Sequence, residues 1–224
     1  MLDPAGLKDN GGPTRTIALE LGRPAIDAIP TAANGCGTSI ASDQRGVGRP
    51  QGSGCDLGAF ELVLDTTPPV ITVPGPSTAN ATSPQGAIVT YTVSATDPDD
   101  AVASLTCEPA SGSTFPIGTT TVTCTAADTN GNSATASFSV LVEGATEQLA
   151  DLGKAVAGVG PGTSLADKVK QVQIYLAQHD VPNACLTLQR FIDQVRAQSG
   201  KSIPAATATT LIADATRTKN VLGC

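Results

Sequence analysis

Three observations predict a multidomain, mainly β chain that ends in a small α-helical bundle. Residues 65–143 alternate apolar and polar with a period of two, residues 144–224 switch to a period near 3.6, and residues 1–64 are punctuated by glycine and proline turns. The 224 residues include 23 Gly and 16 Pro but only four Phe, two Tyr and no Trp, so several small bodies are expected rather than one large core. The boundaries read as 1–64, 65–143 and 144–224.

In the first segment the turns are Asn10-Gly11-Gly12-Pro13, Gly22-Arg23-Pro24, Gly46-Val47-Gly48-Arg49-Pro50 and Gly52-Ser53-Gly54. Short β-type runs over 14–21 and 57–64 lie around them, each too small to form a core alone. Asp27, Asp43, Arg45, Asp56 and Glu61 invite comparison with the paired carboxylates of sugar-cleaving sites. Among so many turns, the same groups are better suited to satisfying loop backbone and one another. No catalytic residue is assigned.

Along residues 65–143, Val89, Tyr91, Val93 and Ala95 share one face, and so do Val122, Cys124 and Ala126, and Phe138, Val140 and Val142. Asn130-Gly131 between two such runs is a strong hairpin signal. Short strands without a helical stretch predict an Ig-like antiparallel β-sandwich, with Cys107 and Cys124 pointing inward beside Leu105 and Val122. Asp97, Asp99 and Asp100 form a weak Ca²⁺ candidate, because loop carboxylates suit a hard cation. Turn-making is the favoured role, and neither a metal nor a cofactor is assigned. Asp128 to Asn132 looks like an EF-hand start, but its Gly comes two positions early. Asn80-Ala81-Thr82 is a glycosylation sequon.

Residues 144–224 read as four helices. Leu149, Leu152 and Val156 mark the first, which ends at Gly158; Gly160-Pro161-Gly162 is a turn. Ser164 is expected to N-cap the second, striped by Leu165, Val169, Val172 and Leu176. Asp180-Val181-Pro182 opens the third, with Leu188, Phe191, Ile192 and Val195, and Gly200 closes it. Ser202 and Pro204 open the fourth, with Ala208, Leu211, Ile212 and Ala215. His179, the single histidine, reads as a turn residue. Tyr175 lies off the main stripe, where it is available for contact.

Charge divides unevenly. Residues 65–143 hold seven acidic groups and no Lys or Arg, whereas residues 144–224 hold eight basic and six acidic ones. A surface bearing only negative charge repels phosphate backbones and anionic lipid heads, so neither nucleic acid nor membrane insertion is expected. No apolar run is long enough to span a bilayer.

Six cysteines allow fifteen connectivities. They fall two per segment (Cys36 and Cys55, Cys107 and Cys124, Cys185 and Cys224), which makes pairing within segments the economical choice. For Cys185 and Cys224 the helical hairpin puts both at one end. No C-x-x-C spacing is present, so structural bridges in an oxidising, extracellular setting are expected, each worth about 3–4 kcal/mol. The opening Met1-Leu-Asp-Pro lacks the basic and apolar regions of a signal peptide, which points to a piece of a longer precursor.

Resemblances extend each reading. Asp9 to Thr14, Gly22 to Asp27, Asp43 to Gly46 with Arg49-Pro50, and Cys55 to Glu61 resemble the closing region of secreted right-handed parallel β-helix proteins of the choice-of-anchor Q type. Ile29 stands where that family commonly has Gly. Asp65 to Ile71, Val89 to Asp97, Ser113 to Thr119, Val122 to Ala126 and Asp128 to Asn132, with Cys107, resemble the HYR (hyalin repeat) domain. That resemblance implies an extracellular adhesion-type module without catalytic residues. Val73-Pro74 replaces a further family cysteine. Gly158 to Lys168, Ala184-Cys185, Phe191 to Lys201 and Leu211 to Ala215 resemble the FIMAH-type helical domain, which implies an accessory part of a secreted protein.

The function expected is therefore a non-catalytic secreted or cell-surface protein whose partner is an extracellular protein or a cell-surface or polysaccharide ligand. The alternative is the accessory tail of a polysaccharide-degrading β-helix enzyme. A carbohydrate-binding module is disfavoured, since no Trp is present and the few aromatics fall mostly at core-like positions.

Overall fold

The computed structural model describes residues 2–99, 101–160 and 162–224. Met1, Asp100 and Pro161 lie outside the described residues, and with them the Asp100 carboxylate of the calcium candidate and the centre of the Gly160–Gly162 turn. The chain divides into two compact units, residues 1–67 and residues 68–224.

The first unit has little regular structure. β1 (Ile29–Pro30) pairs antiparallel with β2 (Gly54–Cys55), a 3-10 turn occupies Ala33–Gly35, and Cys36 is bonded to Cys55. The run over 14–21 contributes only isolated bridges, Lys8 to Thr16 and Leu2 to Leu19, and the run over 57–64 forms no strand or bridge among the described residues. Carboxylates bind the backbone there in place of ladders. Asp56 accepts the N–H of Asp27 (2.8 Å) and of Leu62 (2.6 Å), and Glu61 accepts those of Gln51 (3.0 Å) and Asp56 (2.9 Å).

In the second unit the main sheet has the order β4 (Ser77–Asn80), β10 (Ser133–Glu143), β9 (Gly118–Asp128), β7 (Val102–Glu108). β9 and β10 form the antiparallel hairpin that the alternation and Asn130-Gly131 predict, whereas β4 runs parallel to β10. Two ribbons accompany the sheet, β3 (Val70–Thr72) with β6 (Ser94–Thr96) and β5 (Ala87–Ile88) with β8 (Thr114–Phe115). Gly86 is required beside the second: its φ is +117°, and a Cβ there would collide with the Phe115 carbonyl oxygen. Phe115, Val122, Cys124, Val140 and Val142 are buried at the centre. Tyr91 packs edge-on against Phe138, with ring centroids 5.0 Å apart.

The run over 89–96 is not one continuous strand. Residues 89–93 keep their alternating burial but bond to the loop before β8: Val89 N–H to Ser113 O (3.2 Å), and Tyr91 N–H to the Ser111 hydroxyl (2.9 Å). Cys107 and Cys124 are directly opposite on neighbouring strands and form a bridge within the sheet. Cys124 is buried, while Cys107 is half-buried rather than fully inward.

Four helices follow: α1 (Ala145–Ala155), α2 (Ser164–Ala177), α3 (Val181–Gln198) and α4 (Ala205–Leu222). Their apolar stripes meet in a second core around Leu149, Leu152, Val172, Leu188, Phe191 and Leu211. Asp180 caps α3 by accepting the Asn183 N–H at 3.2 Å, with Pro182 in the first turn. Ser164 is not the cap of α2 but its first helical residue. Thr163 holds the cap position, and the Ser164 hydroxyl accepts from Gln194 Nε2 at 2.7 Å. Cys185 is bonded to Cys224, fixing the end of α4 beside the start of α3.

β10 runs through Gly144 directly into α1. Buried Gln148 donates to the carbonyls of Ala81 (2.9 Å) and Glu143 (3.0 Å) and accepts from Arg217 Nε (3.2 Å). Val221 of α4 joins the β core.

Candidate functional site

The main sheet has two unlike faces, because its side chains alternate. The inner face supplies the core. The outer face carries Thr119, Thr121, Thr123 and Thr125 of β9, all exposed. Across the ladder Thr125 faces Thr135, Thr123 faces Ser137 and Thr121 faces Ser139 on β10, while Thr106 and Glu108 of β7 flank Thr125 and Thr123. With strands roughly 4.8 Å apart, the result is a lattice of hydroxyls bordered by Glu108, with Leu141 and Glu143 of β10 on the same face by their alternation. Such a surface donates and accepts hydrogen bonds and holds no nucleophile–base pair.

At one end of this sheet lie the acidic groups. Asp97 Oδ1 accepts the Asp99 N–H at 3.0 Å. Asp128 is buried and clamps the β9–β10 turn, accepting from the N–H groups of Asn130 (2.9 Å) and Asn132 (2.8 Å) and from Asn132 Nδ2 (2.7 Å). Burial alone would raise its carboxyl, but these bonds, the Asn132 side chain foremost, hold it below the usual carboxylate range. Asp97 and Asp128 offer carboxylate oxygens within 4.8 Å of each other. Sequence reasoning grouped Asp97 with Asp99 and Asp100; the fold brings Asp97 to Asp128, three strands later in the chain. The hairpin signal at Asn130-Gly131 located Asp128 but did not say what the turn would approach.

A shallow cleft of about 320 Å³ opens on another side of the β core, lined by Tyr91, Val93, Leu105, Cys107 and Ser111. The Tyr91 hydroxyl donates to the Pro109 carbonyl there. Burial first, and the Glu108 carboxylate second, push its phenol up.

In the first unit the carboxylates bind structure rather than form a reactive pair. Asp43 accepts from the backbone of Arg45 (2.7 Å), Val47 (3.0 Å) and Glu61 (2.9 Å) and pairs with the Arg45 guanidinium at 2.8 Å. Burial opposes ionisation of Asp43, yet the hydrogen bonds, led by the Glu61 N–H, outweigh it and keep the carboxyl below its ordinary value. Arg45 lies over the Phe60 ring, 3.6 Å from its centroid, and donates to the Glu61 carbonyl. Arg49 Nε lies 3.3 Å from Glu61 Oε2, an ion pair outside hydrogen-bond geometry, while its other end donates to Gly58 O at 2.7 Å. Asp27 Oδ1 accepts from Gly54 N–H at 3.1 Å.

His179 is exposed, with a left-handed φ of 59°, and its N–H closes the end of α2 on Leu176 O at 3.0 Å. Tyr175 packs against the helical core and lines a groove between α2 and α3. Among the described residues, no helix is long and apolar enough to cross a membrane.

Neither a curated protein nor a solved structure matches the chain. Residues 64–142, less than half of its length, match the family model of the HYR domain, so the segment that builds the hydroxyl-faced sheet is similar to that family.

Proposed function

We propose that the chain is part of a secreted or surface-displayed, non-catalytic protein that works by contact, with residues 65–143 as its adhesion-type module. In this reading that segment is an Ig-like sandwich of the HYR kind, and residues 1–64 are the terminal region of a parallel β-helix. Residues 144–224 are an accessory helical domain of the FIMAH type. The partner is an extracellular protein or a surface polysaccharide, met by the hydroxyl lattice of β9 and β10.

The observation that carries the reading is the HYR match over residues 64–142. The three intrachain disulfides support an oxidising compartment, and the carboxylates of residues 1–64 support its non-catalytic part, since backbone amides take their oxygens. Beads coated with the full chain should adhere to surfaces of the source cells and of cells it contacts. The variant Thr123→Arg/Ser137→Glu, which sets opposite charges across the ladder beside Glu108, should lose that adhesion while melting like the parent. Unchanged adhesion by this variant would remove the sheet face from the account.

A second reading is favoured by the ordered motifs of residues 1–64: the chain is the accessory tail of a β-helix polysaccharide-degrading enzyme. Its discriminating feature is clustered carboxylates and basic residues on upstream β-helix rungs in the source reading frame.

A further inference from the structure

The groove between α2 and α3 has a volume of about 420 Å³, within the roughly 300–1,000 Å³ common for small-molecule sites. Ser164, Lys168, Gln171 and Tyr175 fall on one face of α2 by their spacing, and Thr187 and Arg190 line the opposite wall from α3. This site lies outside the segment on which the proposed function rests.

Two features mark the groove as unfinished. The first is Thr187. Thr209, Thr210, Thr216 and Thr218 each turn their hydroxyl back to the carbonyl four residues earlier. Thr187 is 8% exposed, yet among the described residues its hydroxyl has no partner, and it lines the groove. That hydroxyl is open to the groove rather than sealed in the core, so it is a free donor and acceptor at that wall. The second is Arg190. Arg196 faces Asp193 at 3.7 Å and Arg217 faces Asp214 at 2.9 Å, whereas Arg190, exposed at the groove's edge, has no ion-pair or hydrogen-bond partner among the described residues and is free to meet an anion. Among the described residues Lys168 hydrogen-bonds to the Ser164 hydroxyl alone, at 3.4 Å. The one carboxylate present, Asp167, already accepts from the Thr163 hydroxyl at 2.7 Å.

We infer that this groove binds a saccharide unit bearing a carboxylate or sulfate. Arg190 and Lys168 call for one negative charge, and Thr187, Gln171, Tyr175 and Asp167 call for several hydroxyls around it. A bare inorganic anion leaves the neutral groups unmatched, and a neutral sugar leaves the two cations unmatched. Recognition here rests on charge pairing and hydrogen bonds, so the lack of Trp does not count against it. Helices 144–224 also have more basic than acidic groups, unlike the acidic β segment.

The test is amide chemical-shift mapping on the full, oxidised chain with four probes: trigalacturonate, a sulfated chondroitin disaccharide, maltotriose and pentaglutamate. Trigalacturonate or the sulfated disaccharide should shift the Lys168–Tyr175 and Thr187–Arg190 amides, and which of them binds tighter identifies the acid group. Arg190→Gln should weaken that binding about tenfold, with the fold intact. Thr187→Val should weaken it about fivefold without lowering the melting temperature, because the hydroxyl removed has no partner in the protein. Shifts confined to other surfaces, equal affinity in Arg190→Gln, or equal response to maltotriose or pentaglutamate would overturn the assignment.

Discussion

The two units are held together by different forces. In residues 1–67 the buried apolar residues are Leu19, Cys36, Cys55 and Phe60, matched by buried Thr16, Asp43, Asp56 and Glu61. In residues 68–224 apolar side chains dominate, in two cores around Phe115 and Phe191, and buried polar groups are few. The first unit is organised by carboxylates that accept backbone N–H groups and by one bridge; the second, by exclusion of water. The lesson is that a turn-rich segment gains a unique shape by hydrogen-bonding its loops from inside, at the cost of depending on charge.

Two substitutions of similar size separate these mechanisms. Glu61→Ala removes acceptors for Gln51 and Asp56 and leaves Arg49 without its ion pair, so the first unit should lose about 3–5 kcal/mol. Phe191→Ala empties the helical core and should cost the second unit about 3–5 kcal/mol. Denaturant unfolding followed by amide exchange resolved by unit is the measurement. Each variant should loosen its own unit and spare the other.

Removing one bridge sharpens the contrast. Cys36→Ser/Cys55→Ser opens a 19-residue loop and should cost about 3 kcal/mol, enough to unfold a unit with so few buried apolar groups. Cys107→Ser/Cys124→Ser removes a loop of nearly the same length (17 residues), yet should leave β9 and β10 protected, because their ladder and the Phe115 core persist. Proteolysis without reductant distinguishes the two.

A smaller effect is expected at Gln148→Leu. The change strips the buried carbonyls of Ala81 and Glu143 of a donor and should cost about 1–3 kcal/mol. It should loosen α1 from the sheet before either core opens.

Acid provides the mildest probe. Asp43 has a depressed folded pKa, so its contribution is fully present above the unfolded carboxyl value of about 3.9 and is lost as pH falls through the folded value. The first unit should therefore open before the helical core, and Asp43→Asn should flatten that part of its pH dependence.

Where water exclusion dominates, the fold is readable from residue pattern. The alternation at Val122, Cys124 and Ala126 and at Phe138, Val140 and Val142, with Asn130-Gly131 between, leads to the β9–β10 hairpin, and the Leu188–Val195 stripe leads to α3. Pattern misleads where backbone partners are not strands. Residues 14–21 and 57–64 look β-like, yet the first makes only isolated bridges to residues 2–8 and the second gives the N–H groups of Glu61 and Leu62 to the carboxylates of Asp43 and Asp56; residues 89–93 alternate correctly, yet pair with a serine-rich loop. The α2–α3 groove was legible only through Tyr175. Lys168 and Arg190 have the spacing of any solvated helix face, and nothing in sequence tells a threonine with a carbonyl partner from one without.

The most direct test incubates the full chain with immobilised surface polysaccharides and cell envelopes, measuring retained protein and released fragments in the same samples. Retention on at least one surface, with no new reducing or unsaturated sugar ends, is the predicted result. Release of such ends by the purified chain would contradict a protein that acts by contact alone.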